Sequence, residues 1–164
     1  MKEVLTIGFV ATAISPYFSE EQQVRIKSEN HLKKIIAEYD AKLICFHKTI
    51  FSKEDSVEAE KFFKNKIDFL ILQTSSCSSG EQLYPLCNIT NKMGLWAVPD
   101  LENEGDVKLH SLVSVSHYLG IIKKILHEKK IKTKWFYNYG NTDEFRNKFL
   151  ITLKMNKFKL IKDK

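Results

Sequence analysis

Apolar and polar positions along this chain follow two alternating rhythms. Short, nearly continuous apolar runs at Val4 to Val10, Leu43 to Phe46, Phe69 to Leu72, Leu95 to Val98 and Trp135 to Tyr139 read as strands buried on both faces. Between them the apolar positions take helical spacing. Leu32, Ile35, Ile36 and Tyr39 predict a first helix from about Glu20 to Tyr39, opened by a capping box of Ser19 and Gln22. Ser52 with Asp55 opens a second helix whose apolar face is Val57, Phe62 and Phe63. A short third helix is expected near Glu81 to Lys92, ended by Gly94, and Pro99 stops the strand that follows. The segment Leu109 to Leu126 reads as one helix with Gly120 inside it. Asn141, capped back by Glu144, opens a last helix that carries Phe145, Phe149 and Leu153 at i, i+4 and i+8. Phe158, Leu160 and Ile161, set among lysines, read as the approach to one more strand.

Strands alternating with helices build a parallel sheet covered on both faces. The expected fold is therefore α/β: a five-stranded parallel sheet flanked by helices, a flavodoxin-like (Rossmann-like) three-layer sandwich with strand order 2-1-3-4-5. At 164 residues the chain fits a single α/β domain. The switch point of that order lies between the first and third strands, where ligands of open α/β sheets bind. It brings Ala11 to Phe18 beside Gln73 to Gly80.

What the third strand delivers to that edge is chemically distinctive. Gln73, Thr74, Ser75, Ser76, Ser78, Ser79 and Gln82 are neutral donors and acceptors suited to a polyhydroxylated ligand, with no obvious base or nucleophile among them. Ser15 from the first loop and Asp100, just after Pro99, complete the candidate substrate-binding set of Ser15, Thr74, Ser75, Ser76, Ser78, Gln82 and Asp100. The same hydroxyls also suit a purely structural role, because serine and threonine cap free backbone amides wherever a strand turns into a helix. Neither loop has the glycine spacing of a dinucleotide or phosphate cradle.

Composition narrows the alternatives. Apolar residues make up 43% and charged residues 28% of the chain, a globular makeup, and no run of 18 apolar residues exists to span a membrane. Lys2 before the apolar stretch Val4 to Ile14 imitates a secretory signal, but Glu3 spoils the basic start and the stretch serves as a first strand. Three cysteines (Cys45, Cys77, Cys87) leave one unpaired under any disulfide scheme, so free thiols in a reducing cytoplasm are expected. From Ile121 to Lys164 there are 13 Lys or Arg against 4 Asp or Glu, a net of +9; the first 120 residues carry 13 against 16, a net of −3. Such asymmetry can mark nucleic-acid binding. Only Arg146 among those 13 cations is an arginine, which favours a solvated lysine surface over bidentate phosphate or base readout.

Catalytic and metal-ligating patterns are sparse. The five histidines (His31, His47, His110, His117, His127) lack zinc-site spacing. His47 is expected at the end of the second strand, and His110 and His117 on one helical face. Asp100 and Glu102 are the best-placed carboxylates, without an evident second group for general acid–base work.

Four segments carry a family resemblance: GFVATAISPYFSEE from Gly8, DFLILQTSSCSSGEQLYPL from Asp68, LWAVPDLENEGDVKLHSLVSVSHYLG from Leu95, and KWFYNYGNTDEFRNKF from Lys134. Together they resemble the amino-terminal domain of the L-fucose and L-arabinose isomerase-like proteins, over about Ile7 to Leu150. His110 stands where that family usually has asparagine, and Ser114 where a glycine is common. The resemblance implies aldose–ketose isomerisation in carbohydrate metabolism, with a divalent metal, usually manganese, held by later domains, while the first domain shapes the sugar pocket. It implies no cofactor bound by this chain, a small-molecule sugar as partner, and a homo-oligomer or a separate metal-domain chain to complete the site. Such a domain, truncated before the metal ligands, would not catalyse alone. The competing expectation is a freestanding α/β ligand-binding or protein-interaction module without enzymatic activity.

Overall fold

The computed structural model describes residues 4–14, 19–100 and 110–162, with side chains at 4–14, 23–100 and 110–157. Five strands and five helices alternate through it: β1 Leu5–Thr12, α1 Ser19–Ala37, β2 Ala41–Cys45, α2 Lys53–Phe63, β3 Phe69–Thr74, α3 Gly80–Leu86, β4 Lys92–Ala97, α4 Ser111–Lys124, β5 Lys132–Tyr137 and α5 Asp143–Lys162. All strand pairs are parallel and the order is β2-β1-β3-β4-β5. This is the expected flavodoxin-like arrangement, with the switch point between β1 and β3.

Alternation along the central strands divides the core into two layers. Phe9, Phe69, Ile71 and Trp96 meet Leu32 and Ile36 of α1 and Phe145, Phe149 and Leu153 of α5 on one face. Val10, Leu70, Leu72 and Leu95 meet Phe63 of α2, Leu83 of α3 and Val115 and Ile122 of α4 on the other. β3 is buried at every position from Phe69 to Thr74, as a strand with neighbours on both sides and helices on both faces must be.

Local chemistry explains several boundaries. Ser52 Oγ accepts the N–H of Asp55, and the Asp55 carboxylate accepts the N–H of Ser52, closing the expected capping box of α2. Its counterpart at Ser19 and Gln22 involves side chains outside the described residues. Gly94 does not end a helix, as its sequence position suggests, but sits in mid-strand in β4. A Cβ there would stand 2.6 Å from Ile71 Cδ1, 2.9 Å from Phe136 Cε2 and 3.0 Å from Phe69 Cζ. The glycine therefore makes room for a packed ring layer. α5 is capped by Thr142 in place of Asn141: Thr142 Oγ1 accepts the N–H of Phe145, while Glu144 accepts from the Asn138 amide. Phe158, Leu160 and Ile161 belong to the backbone of α5, which runs to Lys162, so no sixth strand begins there.

Two glycine substitutions test this packing against backbone propensity. Gly94→Ala is expected to destabilise by about 1–3 kcal/mol, the usual cost of overpacking a filled core. Gly120→Ala, in α4 where an added Cβ meets nothing within 4 Å, is expected to stabilise by up to about 1 kcal/mol through helix propensity. Urea unfolding of both variants checks the contrast; equal effects would refute the packing account.

Candidate functional site at the carboxyl edge of the sheet

β1 and β3 end side by side. Thr12 pairs with Thr74, the N–H of Ser75 donates to Thr12 O at 2.8 Å, and the N–H of Ala13 donates to Ile50 O at 3.0 Å. The residues after β3 then fold inward over this edge. Thr74, Ser75, Ser76, Ser78 and Gln82 are all at most 4% exposed, which places their polar groups under the full penalty of burial unless each finds a partner.

Each of the five is hydrogen-bonded. Thr74 Oγ1 donates to Ser111 O at 2.8 Å and lies 2.9 Å from Ser111 Oγ, and Ser111 Oγ also accepts the N–H of Val98 at 3.0 Å. Ser75 Oγ donates to Gln73 Oε1 at 2.9 Å. Ser76 Oγ accepts the N–H of Ile14 at 3.2 Å. Ser78 Oγ lies 3.0 Å from Thr12 Oγ1, and its N–H donates to Ser114 Oγ at 2.7 Å. Gln82 Nε2 donates to Ala13 O at 2.8 Å, while its Oε1 accepts from the N–H of Ser79 and from the Tyr118 hydroxyl at 3.3 Å. The loop thereby stitches β1, β3, α3 and α4 together.

The predicted residues thus divide into three groups. Thr74, Ser75, Ser76, Ser78 and Gln82 gather in one cluster. Asp100 is tied elsewhere: its Oδ1 accepts the N–H of His110 at 2.9 Å, where His110 adopts a left-handed φ of 54° just before α4. Ser15 lies outside the described residues. Thr12, Ser111, Ser114 and Tyr118 are cluster members that the sequence reading passed over. Their signal was present as polar or half-polar residues at i, i+3 and i+7 along the buried stripe of α4, and as a threonine closing an apolar strand.

One polar group at the switch point stands apart. Gln73 is wholly buried, and its Nε2 has no hydrogen-bond partner. Alternation along β3 points it toward the face shared by α1 and α5, between Ala11 of β1 and Trp96 of β4. An unpaired buried amide end costs about 1–3 kcal/mol, so this group is poised for an acceptor that the described residues do not supply.

Reactive chemistry is not built into the cluster. Burial pushes the Tyr118 hydroxyl up to about 12, against hydrogen bonds with Thr12 and Ser78 that pull it down, so it stays a neutral donor. Burial likewise holds the thiols of Cys45 and Cys87 at about 12. His47 follows the end of β2 and faces solvent, 3.4 Å from Glu58. Among the described residues no three His, Cys, Asp or Glu gather to hold a metal ion, so a hard cation wanting several oxygen ligands does not fit them. No helix of these residues is long and apolar enough to cross a membrane. No protein-family model matches the chain, and no curated protein matches it.

Two substitutions measure the network. Ser111→Ala strands the N–H of Val98 and is expected to cost about 1–3 kcal/mol. Tyr118→Phe removes one hydroxyl from Ser79 O and Gln82 Oε1 and is expected to cost about 1 kcal/mol. Unfolding midpoints report both; an unchanged midpoint for Ser111→Ala would mean that the buried bonds contribute nothing.

Proposed function

We propose that this chain is a sugar-holding domain, the substrate-pocket or assembly domain of an L-fucose/L-arabinose isomerase-like protein, and that it does not catalyse alone. The observation that carries the reading is the unpaired amide of Gln73 at the switch point. A ligand hydroxyl reaching Gln73 on the face shared by α1 and α5, beside Ala11 and Trp96, would accept from Nε2 and relieve its burial penalty. The family resemblance of the four segments supplies the sugar, and the neutral character of the surrounding groups agrees with an uncharged ligand. The serine loop acts here as the rigid platform beneath the ligand. Ser15 and Asp100 are the further candidate contacts, and Asp100 would first have to release the N–H of His110. Aldose–ketose chemistry and the manganese ion it uses would reside in other domains, on a neighbouring subunit or on a separate metal-domain chain.

The inward bonding of Thr74, Ser75, Ser76, Ser78 and Gln82 favours a second reading, a freestanding α/β module whose polar loop is framework. Variants of Ser76 or Gln82 cannot separate the two, because each also breaks a bond to the end of β1. Gln73→Leu can. Nuclear magnetic resonance titration with L-fucose and L-arabinose is expected to shift amides of residues 11–14 and 73–82, and Gln73→Leu should weaken that binding about tenfold, roughly 1.4 kcal/mol. Thermal melting of the variant controls for the acceptor that Ser75 loses. Absence of saturable shifts for either sugar would overturn the sugar reading and leave the module.

A further inference from the structure

At the opposite, amino-terminal edge of the sheet, a pocket of about 260 Å³ opens between α5 and the first residues of β3, β4 and β5. The geometry points to a binding site for a small amphiphilic anion, a hydrocarbon body of about eight carbons bearing one carboxylate. Phe69 lies in its wall, and Ile151 and Met155 of α5 line it while remaining 59% and 57% exposed. At roughly 30 Å³ for each water-sized group, the volume suits such a chain.

The rim supplies the charge. Lys92, Lys132 and Lys134 line the pocket, and none forms an ion pair among the described residues; Lys148, the fourth, is held by Glu144 at 2.9 Å. Lys92 and Lys132 are direct partners in the register of β4 and β5, with Lys134 beside Gly94. Alternation therefore sets three like charges on one face, close across the strands. Like charges opposed in a sheet are destabilising, and among the described residues no acidic one lines the pocket to relieve them. An anionic head group does so while its tail covers Ile151 and Met155. A second copy of this chain docked on the same face would bring lysine against lysine. A phosphate or nucleic-acid backbone would leave the apolar wall uncovered.

The test uses octanoate below its micelle concentration, followed by amide shifts and by calorimetry on the full chain. Saturable binding is expected with shifts at residues 132–134 and 151–156, and acetate and octan-1-ol should each bind at least tenfold more weakly. The double variant Lys132→Glu/Lys134→Glu, at exposed positions, should lose at least tenfold in octanoate affinity with a melting temperature no lower than that of the unaltered protein, since Lys132→Glu sets a carboxylate opposite Lys92. Octan-1-ol binding as tightly as octanoate, shifts confined to other surfaces, or indifference to the double variant would each overturn the assignment. Retention on phosphatidylglycerol vesicles without saturable octanoate binding would overturn it in favour of a membrane surface. Should the variant fail to fold, the ratio of octanoate to octan-1-ol on the unaltered protein decides.

Discussion

A hydroxyl buried above the end of a central parallel strand has to find its hydrogen-bond partner inside the protein, and this constraint organises the carboxyl edge of the molecule. β3 has strands on both sides and helices on both faces, so the polar residues that follow Leu72 cannot reach water without leaving the fold. They turn toward one another instead. Thr74 reaches Ser111, Ser78 reaches Thr12 and Ser114, and Gln82 reaches Ala13. Fully satisfied buried networks of this kind fix a single arrangement of the elements they join. Tyr118, arriving from α4 with its ring in the apolar layer and its hydroxyl on Gln82, couples the two kinds of packing. Gln73 is the exception that the network leaves open, and an unsatisfied group inside an otherwise satisfied one is where a missing component shows itself.

The architecture was legible in the sequence because the signals for it are local and redundant. Five apolar runs separated by helical spacing permit few topologies, and the capping residues Ser52 and Asp55 mark a boundary with their own side chains. Misreadings fall where a tertiary contact decides. Gly94 resembles a helix terminator until the rings of Phe69 and Phe136 show that the position must be empty of a side chain. Asn141 and Thr142 are equally good caps on paper, and the turn that joins Tyr139 to Thr142 selects the threonine. The site was legible in part: the hydroxyl cluster could be located, but its direction could not. Whether a serine faces ligand or neighbour depends on α4, more than thirty residues away, whose Ser111 and Ser114 reach back to Thr74 and Ser78.

Holding and reacting make different demands on a site, and the reading proposed above assigns this one the first. A reacting group needs a pKa near the working pH and a partner within hydrogen-bond reach. Tyr118, Cys45 and Cys87 are all held at about 12, Asp100 is engaged at the start of α4, and His47 faces solvent. A rigid, neutral platform with one open amide is suited to orienting a ligand. That division of labour is what a pocket domain in a larger isomerase-like assembly requires, and a freestanding binding module requires no less.

The two edges of the sheet differ in chemistry, and the strand register sets how far apart their polar groups lie. Neutral hydroxyls and an amide occupy the carboxyl edge, whereas Lys92, Lys132 and Lys134 crowd the amino edge beneath α5. Lys134 pairs with Gly94 and Gly94 with Ile71, so Lys134 stands two strands across and two residues back from Gln73, about 12 Å at ordinary strand spacings and about one and a half Debye lengths at physiological ionic strength. The lysine field therefore reaches Gln73 only partly screened, and an uncharged ligand there would respond to it far less than a charged one. Salt would tell the two proposed sites apart, because raising ionic strength weakens an anion held by exposed lysines and acts far less on a neutral ligand held by a hydrogen bond.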